Sequence, residues 1–247
     1  MSTTVGIVTV GDELLSGDVE NTNAAWIATQ LTERGLDVRE IRVIPDETAT
    51  IEATVSELGQ AHTFVVMTGG LGSTPDDVTV RGVARALDQP LEANDTAREL
   101  VEAAVAEIHE EYPEFQHDID AASQYPSGAR IIPNEVGISP GCVCGNVYVL
   151  PGIPDEMKAV FGEVTEDFSG DIASRSLYTE TAESHLNRVL NEVAERFSVR
   201  VGCYPIDERK RVRLASEDTT ALAEASEWLS DQPEFAAPVG EPDGASE

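Results

Sequence analysis

Residues 68–79 read Thr-Gly-Gly-Leu-Gly-Ser-Thr-Pro-Asp-Asp-Val-Thr, and this stretch decides how the rest of the chain is interpreted. An apolar run over residues 63–67 leads into it, and a helical pattern over residues 78–87 leads out of it. This order predicts a strand, a tight turn and a helix, with Thr74 as the helix cap and Pro75 in the first helical position. Glycines let backbone approach a ligand closely, and N–H groups at a helix start attract anions. The stretch is therefore a candidate phosphate site, and a well-capped turn without a ligand is the alternative.

Acidic side chains follow three predicted strands at the point where each strand ends. Asp12 follows the first strand, Asp46 follows the second, and Asp77 lies in the glycine-rich stretch after the third. Parallel strands end at one edge of a sheet, so these carboxylates are expected on one rim, with the first strand between the second and third. A single acidic residue at such a position is more often a helix cap or a solvated loop residue than part of a ligand site. Together they would repel a phosphate unless a cation lay between them, which predicts a divalent metal held by Asp77, Asp46 and Asp12.

The chain is predicted to contain two folded parts and a tail. Residues 1–169 alternate strands with helices, which predicts an α/β domain of three layers around a parallel or mixed sheet. Residues 170–230 follow as a small α+β module, and residues 231–247 form an acidic segment that we expect to be disordered. The predicted strands of the first domain cover residues 5–10, 38–44, 63–67, 129–133 and 143–150. Its main helices begin near residues 24, 48, 78, 95 and 155, and Asp95 or Thr96 is the expected cap of the helix near residue 95.

The composition is strongly acidic, with 46 Asp and Glu against 16 Lys and Arg and a formal net charge of -30. This acidic, lysine-poor composition indicates a protein adapted to high salt, because the Debye length falls to about 3 Å at molar salt and the repulsion between the acids is then screened. An ordinary acidic protein is the alternative. No basic face is visible in the sequence, so nucleic acid is not a predicted partner. No apolar run reaches the length of a membrane span and no signal peptide is recognised, so we expect a cytoplasmic protein without a membrane partner.

The residues that usually carry nucleophilic catalysis are not arranged for it. His62, His109, His117 and His185 lie outside the motifs and are interpreted as surface or packing residues. The three cysteines form neither a disulfide framework nor a zinc motif. This leaves chemistry by a positioned water molecule and a metal ion.

Further motifs accompany the glycine-rich stretch in a fixed order, and the whole set spans about residues 4–168. With these motifs the chain resembles the molybdopterin-binding-like fold and, within it, the N-terminal domain of the CinA (competence/damage-inducible) family. The small module after residue 170 resembles the KH-like domain that follows in these proteins. The additional motifs are Gly11-Asp12-Glu13-Leu14-Leu15-x-Gly17, Asn21-x-Asn23, Pro45-Asp46, Pro133-Asn134-x-x-Gly137, Ser139-Pro140-Gly141 and Leu150-Pro151-Gly152-x-Pro154.

The resemblance implies which residues lie at the ligand. In relatives of the Mog and gephyrin type, the matching glycines and acids contact molybdopterin, which is a candidate ligand here. We expect Asp77 and Asp46 to be the catalytic carboxylates. The residues expected to bind the ligand or its phosphate are Gly69, Gly70, Gly72, Ser73, Thr74, Ser139, Gly141 and Gly152.

The resemblance also implies an activity. The CinA-like branch implies a metal-dependent pyrophosphatase that acts on a nucleotide diphosphate such as ADP-ribose or FAD, with Mg, Mn, Co or Ni as the divalent metal. One alternative is a molybdopterin-binding or adenylyl-transfer protein of molybdenum cofactor biosynthesis, and another is a non-catalytic nucleotide-binding regulator. The nicotinamide mononucleotide deamidase domain of full CinA proteins is not expected, and self-association through residues 153–161 is a further hypothesis.

Overall fold

The computed structural model describes residues 2–72 and 74–235. Its chain divides into two compact units, an N-terminal unit of residues 3–169 and a C-terminal unit that starts at residue 170. Ser73, one of the predicted ligand residues, lies outside the described residues, as does most of the predicted acidic tail. The two units are therefore described one at a time.

A six-stranded mixed sheet forms the centre of the N-terminal unit, as the sequence predicted. β1 pairs in parallel with β2 and β3, and β3 pairs in parallel with β8, whereas β6, β7 and β8 are antiparallel neighbours. The strand order β2-β1-β3-β8-β7-β6 confirms that the first strand lies between the second and third. The strands are β1 (Thr4–Val10), β2 (Asp37–Ile44), β3 (Phe64–Thr68), β4 (Leu91–Ala93), β5 (Gln124–Pro126), β6 (Arg130–Ile132), β7 (Gly141–Cys144) and β8 (Val147–Leu150), of which β4 and β5 form a separate pair.

Helices cover both faces of this sheet, which gives the predicted three layers. On one face, Ile51 and Val55 of α3 and Val83 of α4 are buried in one apolar cluster. On the other face, Ile27 of α2 and Phe161 of α7 belong to a second cluster. β1 is buried on both faces, which explains why its sequence is a continuous apolar run. The helices are α1 (Asp12–Ser16), α2 (Thr22–Glu33), α3 (Thr48–Ala61), α4 (Thr79–Ala86), α5 (Asp95–Glu111), α6 (Ile119–Ala122) and α7 (Pro154–Glu163).

Two local predictions in this unit are wrong. The single strand predicted over residues 143–150 is a hairpin, because Gly145 adopts a φ of 60° and turns the chain between β7 and β8. The cap of α5 is Asn94 rather than Asp95 or Thr96, since the Asn94 side chain accepts a hydrogen bond from the Ala97 N–H at 3.0 Å. Both features rest on short-range turn chemistry rather than on apolar periodicity.

The C-terminal unit is an α+β structure, as predicted. Its elements are β9 (Ala173–Thr179), α8 (Glu183–Phe197), β10 (Arg200–Ile206), β11 (Arg209–Ser216) and α9 (Thr219–Ser230). The antiparallel sheet has the order β10-β11-β9, and both helices pack their apolar residues against β11. No helix in the described part of the chain is long and apolar enough to cross a membrane.

The segment after α9 differs from the prediction of a disordered tail. Residues Pro233–Phe235 form a 3-10 turn, and Phe235 is buried in the apolar core of this unit. The Glu234 carbonyl accepts hydrogen bonds from the hydroxyls of Thr179 and Thr181, the latter at 3.0 Å. The expectation of disorder is therefore wrong for residues 231–235, while residues 236–247 lie outside the described residues.

Candidate functional site

A cleft of about 760 Å³ opens at the carboxyl ends of β1 and β3. The strand order reverses between these two strands, and this is where open α/β sheets bind ligands. The volume is in the range of small-molecule sites. Predicted site residues that line the cleft are Asp46, Gly69, Gly70, Gly72, Asp77, Ser139 and Gly152.

The glycine turn at the floor of the cleft needs its glycines for close packing. Gly69 and Gly70 adopt φ values of 104° and 65°, in the left-handed region. A Cβ at Gly69 would lie 2.2 Å from the Val10 carbonyl oxygen, and one at Gly70 would lie 2.3 Å from Thr79 Oγ1. The Gly69 N–H donates to the Leu150 carbonyl at 3.2 Å. Gly69 therefore shapes the floor of the cleft, and its N–H is already hydrogen-bonded to β8.

A helix follows this turn as predicted, but its predicted cap at Thr74 and first helical position at Pro75 are wrong. α4 begins at Thr79, and its capping residue Val78 makes no side-chain capping bond. Thr74 closes a local turn instead: its backbone N–H donates to Asp77 Oδ2 at 2.9 Å, and its hydroxyl contacts the same carboxylate oxygen at 2.6 Å. The Thr79 N–H donates to the Gly70 carbonyl at 3.3 Å. Thr74 thus holds Asp77 rather than capping a helix, and the first N–H of α4 is already engaged within the protein.

Asp46 is the acid at the centre of the rim. Its Oδ2 accepts a hydrogen bond from the Asp12 backbone N–H at 3.0 Å, so Asp12 contributes its backbone to this contact. Burial raises the pKa of Asp46, the hydrogen bond opposes that shift, and the charges of Asp12, Glu13 and Asp76 raise it further. Within the described residues, no three His, Cys, Asp or Glu side chains are arranged to hold a metal ion by themselves. The rim therefore offers concentrated negative charge around one partly buried carboxylate rather than a complete metal cage.

Two asparagines of α2 connect separate walls of the cleft. Asn21 caps α2, and its Nδ2 donates to Thr9 Oγ1 on β1 at 2.9 Å. Asn23 Nδ2 donates to the Gly152 carbonyl at 2.7 Å and to Thr68 Oγ1 at 3.2 Å. Its Oδ1 is buried and has no hydrogen-bond partner among the described residues. The sequence marked these asparagines only as the motif Asn21-x-Asn23, because their hydrogen-bond partners on distant elements of the chain follow from the fold.

The loop before β7 supplies another wall. Asn134 Nδ2 donates to Glu156 Oε2 at 2.7 Å and to the Ser139 carbonyl at 2.9 Å. Its Oδ1 accepts the Gly137 N–H at 3.0 Å. Asn134 therefore fixes Ser139 at the cleft through the backbone and joins this loop to the first turn of α7.

Gly141 does not line the cleft, although it was a predicted ligand residue. It lies in β7 and is buried, and a Cβ there would meet Val160 Cγ1 at 2.6 Å and the Val149 carbonyl oxygen at 2.9 Å. The residue is small because α7 packs directly on the strand at this point. The prediction of ligand binding at Gly141 is therefore replaced by a packing role.

His117, which the sequence analysis interpreted as a surface or packing residue, lines the cleft. Its ring stacks on Phe115 with 6.1 Å between the ring centroids, and burial lowers its pKa. Residues 110–125 carry little periodicity, so the sequence contained no signal that this segment folds over the cleft. The charge of Asp118 opposes this shift in the pKa of His117.

The comparisons with known proteins agree with this architecture. Residues 6–169 match the family model described as probable molybdopterin binding domain, and residues 171–237 match that of the FAD synthase middle domain. A protein of Archaeoglobus fulgidus is 34% identical over 221 residues, covering 89% of this chain and 93% of its own length. A protein of Pyrococcus abyssi is 35% identical over 237 residues, covering 90% of this chain and 94% of its own.

A solved structure extends the comparison to three dimensions. CinA from Thermoplasma acidophilum, described as a protein of unknown function, aligns with a TM-score of 0.61 and 32% identity. The alignment covers 67% of this chain and 99% of that protein. The chain therefore belongs to the molybdopterin-binding-domain family, in a CinA-like form that continues into a region of the FAD synthase middle-domain type.

Proposed function

We propose that the cleft binds a nucleotide diphosphate such as FAD or ADP-ribose and hydrolyses its phosphoanhydride with the help of a divalent metal ion. The observation that carries this proposal is the position of Asp46, whose pKa is raised beside a glycine turn and three further acids. The match of the C-terminal region to the FAD synthase middle domain supports a flavin dinucleotide as one substrate.

The walls of the cleft suit a ligand that carries both phosphates and rings. The first turns of α2 and α7 line it through Thr22 and Pro154, and helix N-termini favour negative charge. Val19, Val136 and Ile153 also line it, with exposed fractions of 50%, 60% and 61%. Exposed apolar side chains at a polar cleft favour an aromatic or sugar ring at its mouth. A dinucleotide presents both kinds of group at once.

The residues present fit a metal ion that also binds substrate. Mg²⁺ commonly uses one or two carboxylates together with substrate phosphates, so a complete protein cage is unnecessary. Asp46, with Asp12 or Asp76 beside it, would hold the ion, and the crowded negative charge would thereby be relieved. When bound, the ion would neutralise phosphate charge and lower the pKa of a water molecule.

The chain's own residues would then position the substrate. The glycine turn, with Gly70 and Gly72, would hold the phosphates near Asp46, and Thr74 would keep the Asp77 carboxylate on the same rim. Water oxygen adds to one phosphorus, the bridging P–O bond breaks, and the two water protons pass to the phosphate products. FAD would yield AMP and FMN, and ADP-ribose would yield AMP and ribose 5-phosphate.

A second candidate is molybdopterin binding or adenylyl transfer. It is favoured by the family model that matches residues 6–169, whose description names molybdopterin. Both candidates use the glycine turn, and they differ in whether the phosphoanhydride is hydrolysed or formed.

The test is release of AMP from FAD and ADP-ribose by the purified protein in concentrated KCl with Mg, Mn, Co or Ni ions. We expect metal-dependent release, and we expect Asp46→Asn to lower the rate by roughly 10²-fold, the scale of losing a group that stabilises developing charge. Glu92→Gln, which changes an exposed acid on β4, is the matched control and should retain activity. If no AMP forms with any of these ions from a folded sample, the proposal fails; tight molybdopterin binding would then favour the second candidate.

A further inference from the structure

One long edge of the N-terminal sheet is open. β2 is the outermost strand of the order β2-β1-β3-β8-β7-β6, and in the described part of the chain it pairs with β1 alone. An edge strand presents N–H and C=O groups that can pair with a further strand. β2 has eight residues, whereas β6 at the opposite edge has three. β2 is therefore the edge of this sheet that offers an added strand the longer ladder.

The backbone groups of Ile41 and Val43 point away from the sheet. The Ile44 carbonyl accepts the Gly11 N–H at 3.1 Å, so it faces the side on which β1 lies. Backbone groups alternate in direction along a strand, so those of Arg42 also face β1, and those of Ile41 and Val43 face outward. These two residues can thus exchange backbone hydrogen bonds with another chain.

The same two residues expose apolar side chains. Ile41 is 47% exposed and Val43 is 36% exposed. Ile41 lies opposite Ile7 of β1, and Ile7 is buried in the apolar cluster that includes Ile27 of α2. The apolar face of the sheet under α2 therefore continues to the open edge. Burial of these side chains against a second apolar surface would be favourable.

The sequence of β2 favours pairing with a second copy of itself in one register. When two β2 strands run antiparallel about a twofold axis at Ile41, the two Ile41 residues face each other and their outward backbone groups form a hydrogen-bonded pair. This register places Glu40 of each copy opposite Arg42 of the other. An axis at Glu40 or Arg42 would place like charges opposite each other and would need backbone groups that face β1. An axis at Val43 would place Pro45, which has no N–H, opposite Ile41.

The charged residues of this register also have partners within their own chain. Arg42 donates to Glu40 and to Glu57, each at 2.7 Å, and His62 lies 2.9 Å from Glu40. Pairing of two copies is therefore not needed to neutralise a charge. Charged side chains commonly keep edge strands apart, but about an axis at Ile41 they are complementary. The register shift of β2 against β1 lies before Glu40, so residues 40–44 form the regular part of the edge.

We propose that β2 is the interface of a homodimer, in which antiparallel pairing about Ile41 joins the two six-stranded sheets into one. On one face, Ile41 and Val43 of the two copies form a row of four apolar side chains, because diagonal neighbours of an antiparallel pair are within contact. On the other face, Glu40 and Arg42 alternate between the copies. The net charge of -30 per chain opposes association at low salt, and concentrated salt screens this repulsion. The proposal is independent of the chemistry of the cleft.

The first test is analytical ultracentrifugation of the full chain in concentrated KCl over a range of protein concentrations. We expect a dimer, and we expect Ile41→Lys to weaken it by about a hundredfold or more, because two ammonium groups would meet at the axis. The half-exposed position of Ile41 should tolerate this change, and circular dichroism checks the fold. Ile153→Lys is the matched control, since Ile153 is 61% exposed outside β2, and it also tests self-association through residues 153–161.

A wild-type chain that stays monomeric at every concentration would overturn the proposal. A dimer that persists in a folded Ile41→Lys variant would also overturn it. Loss of the dimer in Ile153→Lys with retention in Ile41→Lys would assign the interface to residues 153–161 instead.

The second test is site-specific crosslinking, which reports on the register. Of the three cysteines, Cys142 and Cys144 are buried, and Cys203→Ser removes the third. In that background, a short bismaleimide should join Ile41→Cys to its copy in high yield, since hydrogen-bonded opposite residues have Cα atoms about 5.5 Å apart. Tyr112→Cys is the control, because Tyr112 is 54% exposed at the end of α5, away from β2. Equal crosslinking at the two positions would contradict the proposed register.

Discussion

Replacing Asn23 with alanine tests whether the walls of the cleft are held together by one side chain. Asn23 Nδ2 bonds both the Gly152 carbonyl and Thr68 Oγ1, and each such bond contributes about 1 kcal/mol net. The change also removes Oδ1, which has no partner among the described residues, so no stabilising contact of that atom is lost. We therefore expect Asn23→Ala to lower the free energy of unfolding of the N-terminal unit by about 2 kcal/mol.

The assay is urea denaturation followed by tryptophan fluorescence in a Trp228→Phe background, so that Trp26 of α2 reports on the N-terminal unit alone. Asn23→Asp should destabilise more than Asn23→Ala, because a carboxylate would face the Gly152 carbonyl without a proton to donate. Thr29→Ala is the control on the same helix, since Thr29 is exposed and its hydroxyl bonds only the Ala25 carbonyl of that helix in the described chain. A loss below about 0.5 kcal/mol for Asn23→Ala, the range of ordinary surface substitutions, would refute the reasoning.

Three further predictions concern residues at or near the cleft. Gly70→Ala should lower the free energy of unfolding by about 1–3 kcal/mol and abolish ligand binding, because its Cβ would lie 2.3 Å from Thr79 Oγ1 at a φ of 65°. Thermal unfolding measures the first effect, and calorimetric titration with FAD measures the second. Gly141→Ala should also destabilise by about 1–3 kcal/mol through its contact with Val160, while the folded fraction keeps its ligand affinity, and unchanged stability would contradict the packing role. Asp46→Asn should raise the temperature of the unfolding midpoint near pH 7, because the pKa of Asp46 is higher in the folded state than in the unfolded state and the ionised carboxylate therefore destabilises the fold. This gain in stability should shrink as the pH falls through the pKa of Asp46 in the folded state. A gain that does not depend on pH would contradict this cause.

The fold could be predicted from the sequence because its main signals are local. Apolar runs such as residues 5–10 and 63–67 mark strands buried on both faces, and helical periodicity between them implies parallel crossovers. The position of the cleft followed from the same reasoning, since the turn after β3 and Asp46 after β2 must meet at one edge. The Gly145-Asn146 pair is a hairpin signal in the local sequence, and it divides the predicted strand over residues 143–150 into β7 and β8.

The parts of the site that could not be predicted depend on contacts between distant residues. Thr74 occupies a position that suits a helix cap, yet its bonds to Asp77 close a turn that delays α4 until Thr79. Asn23 reaches Gly152 only because β1, β3 and β8 are neighbours in the sheet. Nothing in the local sequence distinguishes Gly141, which packs against α7, from the glycines of the cleft.

The placement of β8 in the middle of the sheet has a consequence for synthesis of the chain. β8 is the last strand of its unit to be made, yet Val147 pairs with Val65 of β3, and the intervening residues must all be translated first. Until then β3 has an unpaired edge, and the glycine turn lacks the Gly152 segment that approaches Gly69. Such long-range parallel pairing is slow and leaves aggregation-prone intermediates. The cleft is therefore completed only after α7 has emerged from the ribosome. In a nascent chain that ends before about residue 163, the cleft is incomplete and cannot bind its ligand.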